Sequence, residues 1–378
     1  MTFIKRGPDL AERMEILSRD SRYDLACACA PRRDEHRRRS GDGKWIYPVS
    51  LPGGGSTFLF KVLLSNACVN NCAYCPLRAG ADTRRCALSP KELAGAFLAH
   101  HRAGRVGGLF LSSAVEDTPD GTMERINGAA LHLRRARFRG YIHLKIIPGA
   151  SDAAIEQSLG LATAVSLNIE TAGERNFRAL TSSKEYDRGI IRPMKLISAL
   201  TARGARYAGV KQTTQFVVGA AGETDAEILR WTWRLYRGLG LARVYFSAYQ
   251  RGAGSPGVPG ERSPGSPGDL LTREHRLYQA DWLIRKYGFA AGEIPLDASG
   301  NLSLAVDPKE AWAVLHPGFY PVNINTDAPS RLLRVPGLGR VAVGRILEFR
   351  RNGARLRSLE DLGRMNNVLK RAEAYVSF

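Results

Sequence analysis

The chain has 378 residues, 44% of them hydrophobic and 24% charged, the balance of a globular protein with room for one large domain and a smaller one. Its 55 Lys and Arg outnumber its 36 Asp and Glu, a net charge of +19 that favours a polyanionic partner, although an Arg-rich composition also follows from a GC-rich genome. No run approaches the roughly 20 apolar residues of a membrane span. The opening residues, Met1-Thr-Phe-Ile-Lys-Arg-Gly-Pro8, lack the layout of a secretion signal, so a cytoplasmic protein with no membrane partner is expected.

Residues 1–50 read as a partly ordered lead-in, with a short helical pattern from Asp9 to Ser18 and a polar, Arg-dense stretch from Arg32 to Arg39. The run Gly53-Gly-Gly-Ser56 then breaks the chain ahead of an apolar segment. From there strand and helix patterns alternate. Strands are expected at Phe58–Leu64, Gly108–Leu111, Tyr141–Ile147, Ala164–Ile169, Val210–Val218 and Arg243–Ala248. Helices fill the gaps at Pro90–Arg102 (capped by Ser89), Thr122–Arg137, Asp152–Leu159, Arg192–Arg203 and Asp225–Gly238. Six βα units over residues 51–251 predict an α/β protein with a parallel sheet curled into a partial (βα)6 barrel rather than an eightfold one. Residues 252–268 are Pro, Gly and Ser-rich and predict a loop without regular structure. Helices at Leu271–Tyr287 and Pro308–Leu315 extend the core over 269–322, and a small all-helical domain occupies 323–378.

Six cysteines are too few for a disulfide scaffold in a chain this long. Three of them, in Cys68-Val-Asn-Asn-Cys72-Ala-Tyr-Cys75-Pro, have the spacing C-x3-C-x2-C on a loop that directly follows a strand. Three thiolates so placed can each take one iron of a [4Fe–4S] cube and leave the fourth iron open to a small molecule. The loop lies at the C-terminal end of its strand, where α/β barrels put their chemistry. Zinc would want a second ligand pair, and no further C-x2-C or H-x3-H follows. Cys27, Cys29 and Cys86 are spare thiols.

This loop, with Tyr74 just before its third cysteine, resembles the radical S-adenosylmethionine superfamily. The resemblance implies a [4Fe–4S] cluster on Cys68, Cys72 and Cys75, with S-adenosylmethionine chelating the open iron. It also implies a 5′-deoxyadenosyl radical, formed with one electron from a donor such as flavodoxin or ferredoxin. Tyr74 would pack against the adenine. Many members carry Gly-Gly-Glu where this chain has Leu111-Ser112-Ser113-Ala114, so the contact to the methionine amine would fall to Ser112, Ser113 or backbone carbonyls. Asn168 and Glu170 suit contacts to ribose hydroxyls or to the amine, and Gly219 to Glu223 resembles the glycine-bearing motif beside the adenine. Lys145, a charge in an apolar strand, either binds a carboxylate or phosphate in the barrel mouth or faces solvent at an edge. Cys86 is a candidate hydrogen-atom donor to a substrate radical, and otherwise a small apolar filler.

The tail contains Leu333-Arg-Val335-Pro-Gly337-Leu-Gly339-Arg340-Val-Ala-Val-Gly-Arg345, which resembles a helix-hairpin-helix DNA-binding unit. Gly337 and Gly339 permit a tight turn whose backbone N–H groups capture a phosphate without reading a base, with Arg340 and Arg345 alongside. Residues 331–378 hold 11 Lys or Arg against 4 Asp or Glu, a net +7. A helical protein–protein module that kept the turn is the other reading. Over its whole length the chain is similar to radical S-adenosylmethionine proteins associated with DNA modification or repair, through Gly108-Leu-Phe-Leu-Ser-Ser113, Tyr141-Ile-His-Leu-Lys-Ile-Ile-Pro-Gly149 and Glu274-His-Arg-Leu-Tyr-Gln-Ala-Asp-Trp282. That resemblance implies an enzyme that modifies or repairs a nucleotide in duplex or distorted DNA. Two other readings stay open: the same chemistry on tRNA or other RNA, and a non-enzymatic DNA-binding protein with a structural or redox-sensing cluster.

Overall fold

The computed structural model describes residues 8–21, 46–50 and 56–378, with the backbone alone for 46–50. Cys27 and Cys29 lie outside the described residues. The chain divides into two compact units, one made of residues up to 223 with 234–274 and the other of 224–233 with 275–378.

The first unit opens with α1 (Leu10–Asp20), whose cap Asp9 and third residue Glu12 exchange hydrogen bonds with each other's backbone. Its sheet begins with β1 (Ile46–Ser50), antiparallel to β2 (Ser56–Leu63). The alternation then runs α2 (Pro90–Arg102), β3 (Gly108–Ser112), α3 (Pro119–Arg135), β4 (Tyr141–Lys145), α4 (Asp152–Leu161), β5 (Ala164–Ser166), α5 (Glu174–Leu180), α6 (Arg192–Thr201), β6 (Lys211–Val218), α7 (Asp225–Leu239), whose residues up to 233 group with the second unit, and β7 (Arg243–Ala248). Strands β2 to β7 are parallel and each pairs with the next in sequence, so the sheet forms a six-stranded half-barrel with β1 added at its first edge. The expected partial barrel is therefore present, with its strands where the sequence places them. The strands β1 and the helix α5 come in addition.

Local chemistry accounts for these boundaries. Ser89, Thr118 and Ser151 cap α2, α3 and α4 from extended backbone, and proline at the first turn starts α2 and α3 without losing a hydrogen bond. Leu109, Leu111, Ile142, Leu144, Val165 and Phe246 share one face of the sheet by register and are all fully buried. The Pro/Gly stretch departs from a structureless loop. It holds one turn of helix, α8 (Pro259–Arg262), and α9 (Pro267–Lys286) begins inside it. Each helix starts on a proline, and Ser266 and Asp269 cap α9 reciprocally, with Ser266 N–H to Oδ2 at 2.6 Å and Asp269 N–H to Oγ at 3.2 Å.

The second unit contains α10 (Pro308–Leu315), β8 (Val322–Asn323), α11 (Pro329–Leu332), α12 (Arg340–Arg351), α13 (Asn367–Lys370) and β9 (Val376–Ser377). Its tail is helical as expected, with one addition: β8 and β9 pair in parallel. Residues 275–322 group with this tail rather than with the barrel. An aromatic cluster explains that grouping, since Trp312 of α10 stacks on His316 at 4.1 Å and meets Phe319 edge-on at 5.1 Å, while the Arg334 guanidinium lies 4.8 Å above it. Between α11 and α12 the chain turns through Gly337, at φ +84°, where an added Cβ would collide with the Val368 carbonyl oxygen.

Candidate functional site

The cysteine loop leaves β2 and stays laced to its neighbours. Leu64 N–H donates to Ser112 O at 2.8 Å, Ala114 N–H to Ser65 O at 2.9 Å and Val69 N–H to Val115 O at 2.8 Å, so the loop follows the exit of β3. Cys75 N–H donates to Cys72 O at 2.9 Å, closing a turn that carries Tyr74. Two side chains hold the loop from either side. The Arg85 guanidinium donates to the carbonyls of Asn66, Leu77, Arg78 and Ala81. Asn71 Oδ1 accepts from Thr181 Oγ1 at 3.0 Å and from the N–H groups of Ser182 and Ser183 at 3.2 and 3.1 Å, while its Nδ2 donates to Ser182 Oγ at 2.7 Å. That second anchor draws in the segment after α5 and with it Lys184.

The result is a cavity of about 900 Å³, open mouth included, at the C-terminal end of the parallel strands. Cys68, Cys72, Tyr74 and Cys75 form one wall. Ser112 and Ser113 reach it from the end of β3, Lys145 from β4, Asn168 and Glu170 from beyond β5, and Gln215 and Val217 from β6. Lys184, Asn70, Arg78 and Asp20, the last residue of α1, are also in the polar part of the lining. Asp20 is held there by Asn66 Nδ2, which donates to its Oδ2 at 2.7 Å.

The electrostatics of this wall are unusual. Burial first, and then the neighbouring Cys72, push the Cys75 thiol up to about 12. Burial and the Glu170 carboxylate hold the Tyr74 phenol well above its ordinary value. Burial works against the charge of Lys184, yet Cys72 and Glu170 beside it keep its ammonium above the usual range. Glu170 itself is buried with φ +64°, a left-handed backbone that only a few per cent of non-glycine residues adopt and that clusters at functional sites. Its backbone is fixed on both sides, by Glu170 N–H to Gln215 O at 3.0 Å and Val217 N–H to Glu170 O at 2.7 Å. Asn168 Nδ2 donates to its Oε2 at 3.4 Å.

The donor set fits an iron–sulfur cluster. Three sulfurs face one cavity from one short loop, and each iron of a cube takes its own cysteine. Among the described residues, no three His, Cys, Asp or Glu side chains close on a single point as the ligands of one metal ion do.

Of the residues singled out by sequence, Cys68, Cys72, Tyr74, Cys75, Ser112, Ser113, Lys145, Asn168 and Glu170 meet in this cavity. Gly219, Glu223 and Cys86 are not in its lining. The Glu223 carboxylate turns back onto its own loop, accepting from Gly219 N–H at 2.6 Å and Ala221 N–H at 3.0 Å, and burial raises its pKa. The Cys86 thiol lies 3.9 Å from the Arg13 carbonyl oxygen, and its backbone N–H donates to Asn66 Oδ1 at 2.7 Å. In the second unit Gly339 precedes the first residue of α12 without a side-chain cap, and Arg340 is exposed. The Arg345 guanidinium instead donates to Leu362 O at 2.8 Å. Sequence reading missed Asp20, Asn70, Arg78, Lys184 and Gln215 in the lining and Asn71 and Arg85 behind it. The asparagines lie inside the cysteine loop without being part of its thiol spacing, and the others stand outside any motif.

No protein-family model matches the chain, and no curated protein matches it. Among solved structures it is similar to the FeFe-hydrogenase maturase HydG from Carboxydothermus hydrogenoformans, with 15% identity over 59% of this chain and 50% of that one and a TM-score of 0.46. It is similar to Streptococcus suis SuiB bound to S-adenosylmethionine, with 14% identity over 59% and 47% of the two chains and a TM-score of 0.44. Methylornithine synthase is matched at 17% identity over 72% of this chain and 66% of its own, with a TM-score of 0.41. The chain thus spans about half the length of HydG and of SuiB.

Proposed function

We propose that the protein is a radical S-adenosylmethionine enzyme that acts on a nucleotide in DNA. The observation that carries the first half is the meeting of three loop thiols, a half-buried tyrosine and a left-handed glutamate in one cavity at the C-terminal ends of parallel strands. Cys68, Cys72 and Cys75 hold the [4Fe–4S] cluster, and the remaining lining binds S-adenosylmethionine. Bound there, the two together supply a 5′-deoxyadenosyl radical able to take a hydrogen atom from a substrate.

The chain's own residues bind, orient and shield. Tyr74, between Cys72 and Cys75, offers a ring face to the adenine. Asn168 and Glu170 present an amide and a carboxylate to ribose hydroxyls or to the amine. Lys184 supplies a cation for the methionine carboxylate, and Ser112 and Ser113 stand where a backbone or hydroxyl contact to the amine is needed. The buried, largely apolar strand ends around them exclude water from a reactive intermediate.

The second half rests on charge and on the tail. A net +19 on the whole chain and +7 over residues 331–378 favour a polyanion. The turn through Gly337 opens onto the N-terminus of α12, where unsatisfied backbone N–H groups and the helix dipole favour a phosphate. A base stacked in a duplex cannot enter a pocket, so the target nucleotide is extruded or already distorted.

Anaerobic incubation of the iron-loaded full chain with S-adenosylmethionine, a reductant and either DNA or tRNA tests this reading. Deoxyadenosine formation stimulated by DNA, with binding that weakens as salt rises, is the expected result. Stimulation by tRNA and not by DNA moves the activity to RNA. Formation that ignores both nucleic acids removes the substrate assignment, and no spectral response of the reduced cluster to S-adenosylmethionine removes the enzyme.

A further inference from the structure

The inner face of the half-barrel carries a row of polar side chains that extends beyond the cofactor lining. Lys145 on β4 pairs in register with Ser166 on β5, Ser166 with Thr213 on β6, and Thr213 with Arg243 on β7. The row lies on the cavity side of the sheet. Lys145 is itself in the lining, as are Asn168, two residues beyond Ser166, and Gln215, two beyond Thr213, and residues two apart on a strand share a face.

The middle of the row is what singles it out. Ser166 and Thr213 are each 6% exposed. Among the described residues, neither hydroxyl has a hydrogen-bond partner. Buried polar groups are bonded in the large majority of cases, so two orphan hydroxyls in adjacent register mark a place where a polar ligand belongs. Neighbouring strands lie about 4.8 Å apart, which lets the two hydroxyls donate to two oxygens of one tetrahedral anion. Lys145 at one end and Arg243 at the other make the row cationic, and it contains no carboxylate. On β2 the buried Lys61 adds a further positive charge to the inner face, its ammonium 4.7 Å above the Phe110 ring.

We propose that the row Lys145–Ser166–Thr213–Arg243 seats a phosphate group of the substrate inside the barrel. This deepens the reading above and rests on it for the substrate's class, a nucleotide held by its own phosphate below the radical source. The hydroxyls fix two oxygens and the flanking cations balance the charge, so the sugar and base extend toward the cysteines.

The test uses the full chain. Inorganic phosphate, a mixture of deoxynucleoside 5′-monophosphates, and acetate are titrated against wild type, Ser166→Ala/Thr213→Val and Thr213→Ser, with phosphorus NMR or calorimetry as the readout. Each lost hydroxyl is expected to weaken phosphate binding about tenfold, since it removes a hydrogen bond to a charged acceptor. Thr213→Ser, which keeps the hydroxyl, should bind as wild type does. The thermal midpoint of the double variant should hold or rise, because two unsatisfied buried groups are gone. Equal phosphate affinity in wild type and double variant overturns the subsite. Acetate binding as tightly as phosphate overturns the phosphate assignment, and monophosphates binding more weakly than inorganic phosphate overturn the nucleotide. Failure of the wider reading is seen separately: a chain that loses phosphate binding on mutation yet makes no deoxyadenosine keeps this subsite and loses the enzymatic function.

Discussion

At the scale of single residues, the three loop thiols stand apart from everything else in the cavity. Burial, and then the neighbouring Cys72, oppose ionisation of the Cys75 thiol, so a bound cluster has to compensate for its charge. Exchange of any one of Cys68, Cys72 or Cys75 for alanine should therefore abolish iron retention and visible absorbance in anaerobically loaded protein, whereas Cys86→Ala, whose thiol faces the Arg13 carbonyl, should retain both. Iron analysis beside the absorption spectrum checks this. Asn71 carries the loop mechanically. Asn71→Ala removes the acceptor of the Ser182 N–H and one acceptor each of the Ser183 N–H and the Thr181 hydroxyl, and should cost about 1–2 kcal/mol in urea unfolding together with a lower iron content. Both effects should appear without any change in the cysteines themselves.

At the scale of elements, α1 is the piece whose docking shapes the cavity rim. Arg13 donates to Ala87 O at 2.8 Å and pairs with Glu92 of α2 at 2.6 Å, and the same helix ends on Asp20 in the lining. The hydrogen bond from Arg13, with backbone N–H of Ser89 next, lowers the Glu92 carboxyl from 4.5 to about 2. A carboxyl depressed in the folded state stabilises it above the unfolded value and loses that contribution as pH falls from about 4.5 toward 2. The pair is roughly a third exposed, so solvent screening limits the effect to about 1 kcal/mol. Urea midpoints of wild type and Glu92→Gln should diverge at pH 6 and converge near pH 2.

In the second unit, Lys309 of α10 donates to Leu338 O at 2.6 Å and lies 4.7 Å above the Tyr287 ring, and burial lowers its pKa to about 7. A lysine depressed in this way adds stability that is complete above about 10.5 and fades as pH falls to about 7. Lys309→Met should flatten that rise in the thermal midpoint between pH 7 and 10.

At the scale of the whole molecule, the net charge of +19 is the basis of the proposed polyanionic partner, and salt dependence tests it. Each phosphate neutralised by the chain adds about 0.9 to the slope of log affinity against log salt. Arg340, exposed at the start of α12, is expected to contribute one such contact, so Arg340→Ala should lower the slope by about that amount. Arg345→Ala should act differently, costing about 1 kcal/mol of stability through its lost bond to the Leu362 carbonyl. Fluorescence anisotropy of labelled DNA across a salt series, beside thermal unfolding of each variant, separates the two roles. Among the described residues no helix is long and apolar enough to cross a membrane.

The sequence by itself determined the βα alternation, the Ser89 cap that starts α2, the three-cysteine loop and the glycine turn of the tail. These are written in adjacent residues: a hydroxyl one position before a helix, three thiols within eight residues, a glycine where φ must be positive. Only the tertiary structure decided which of the remaining polar residues share the cavity. Asp20 arrives on a helix ahead of the sheet, and Lys184 follows α5 through the Asn71 anchor, 111 residues distant from its partner Ser182. Glu223 looked like a ligand from its place at a strand end, and folding turned it onto its own loop to satisfy two backbone N–H groups. The row of Ser166 and Thr213 is likewise visible only once parallel register sets neighbouring strands side by side. Register depends on how the hydrophobic faces of six strands pack together, and no single stretch of sequence contains that information.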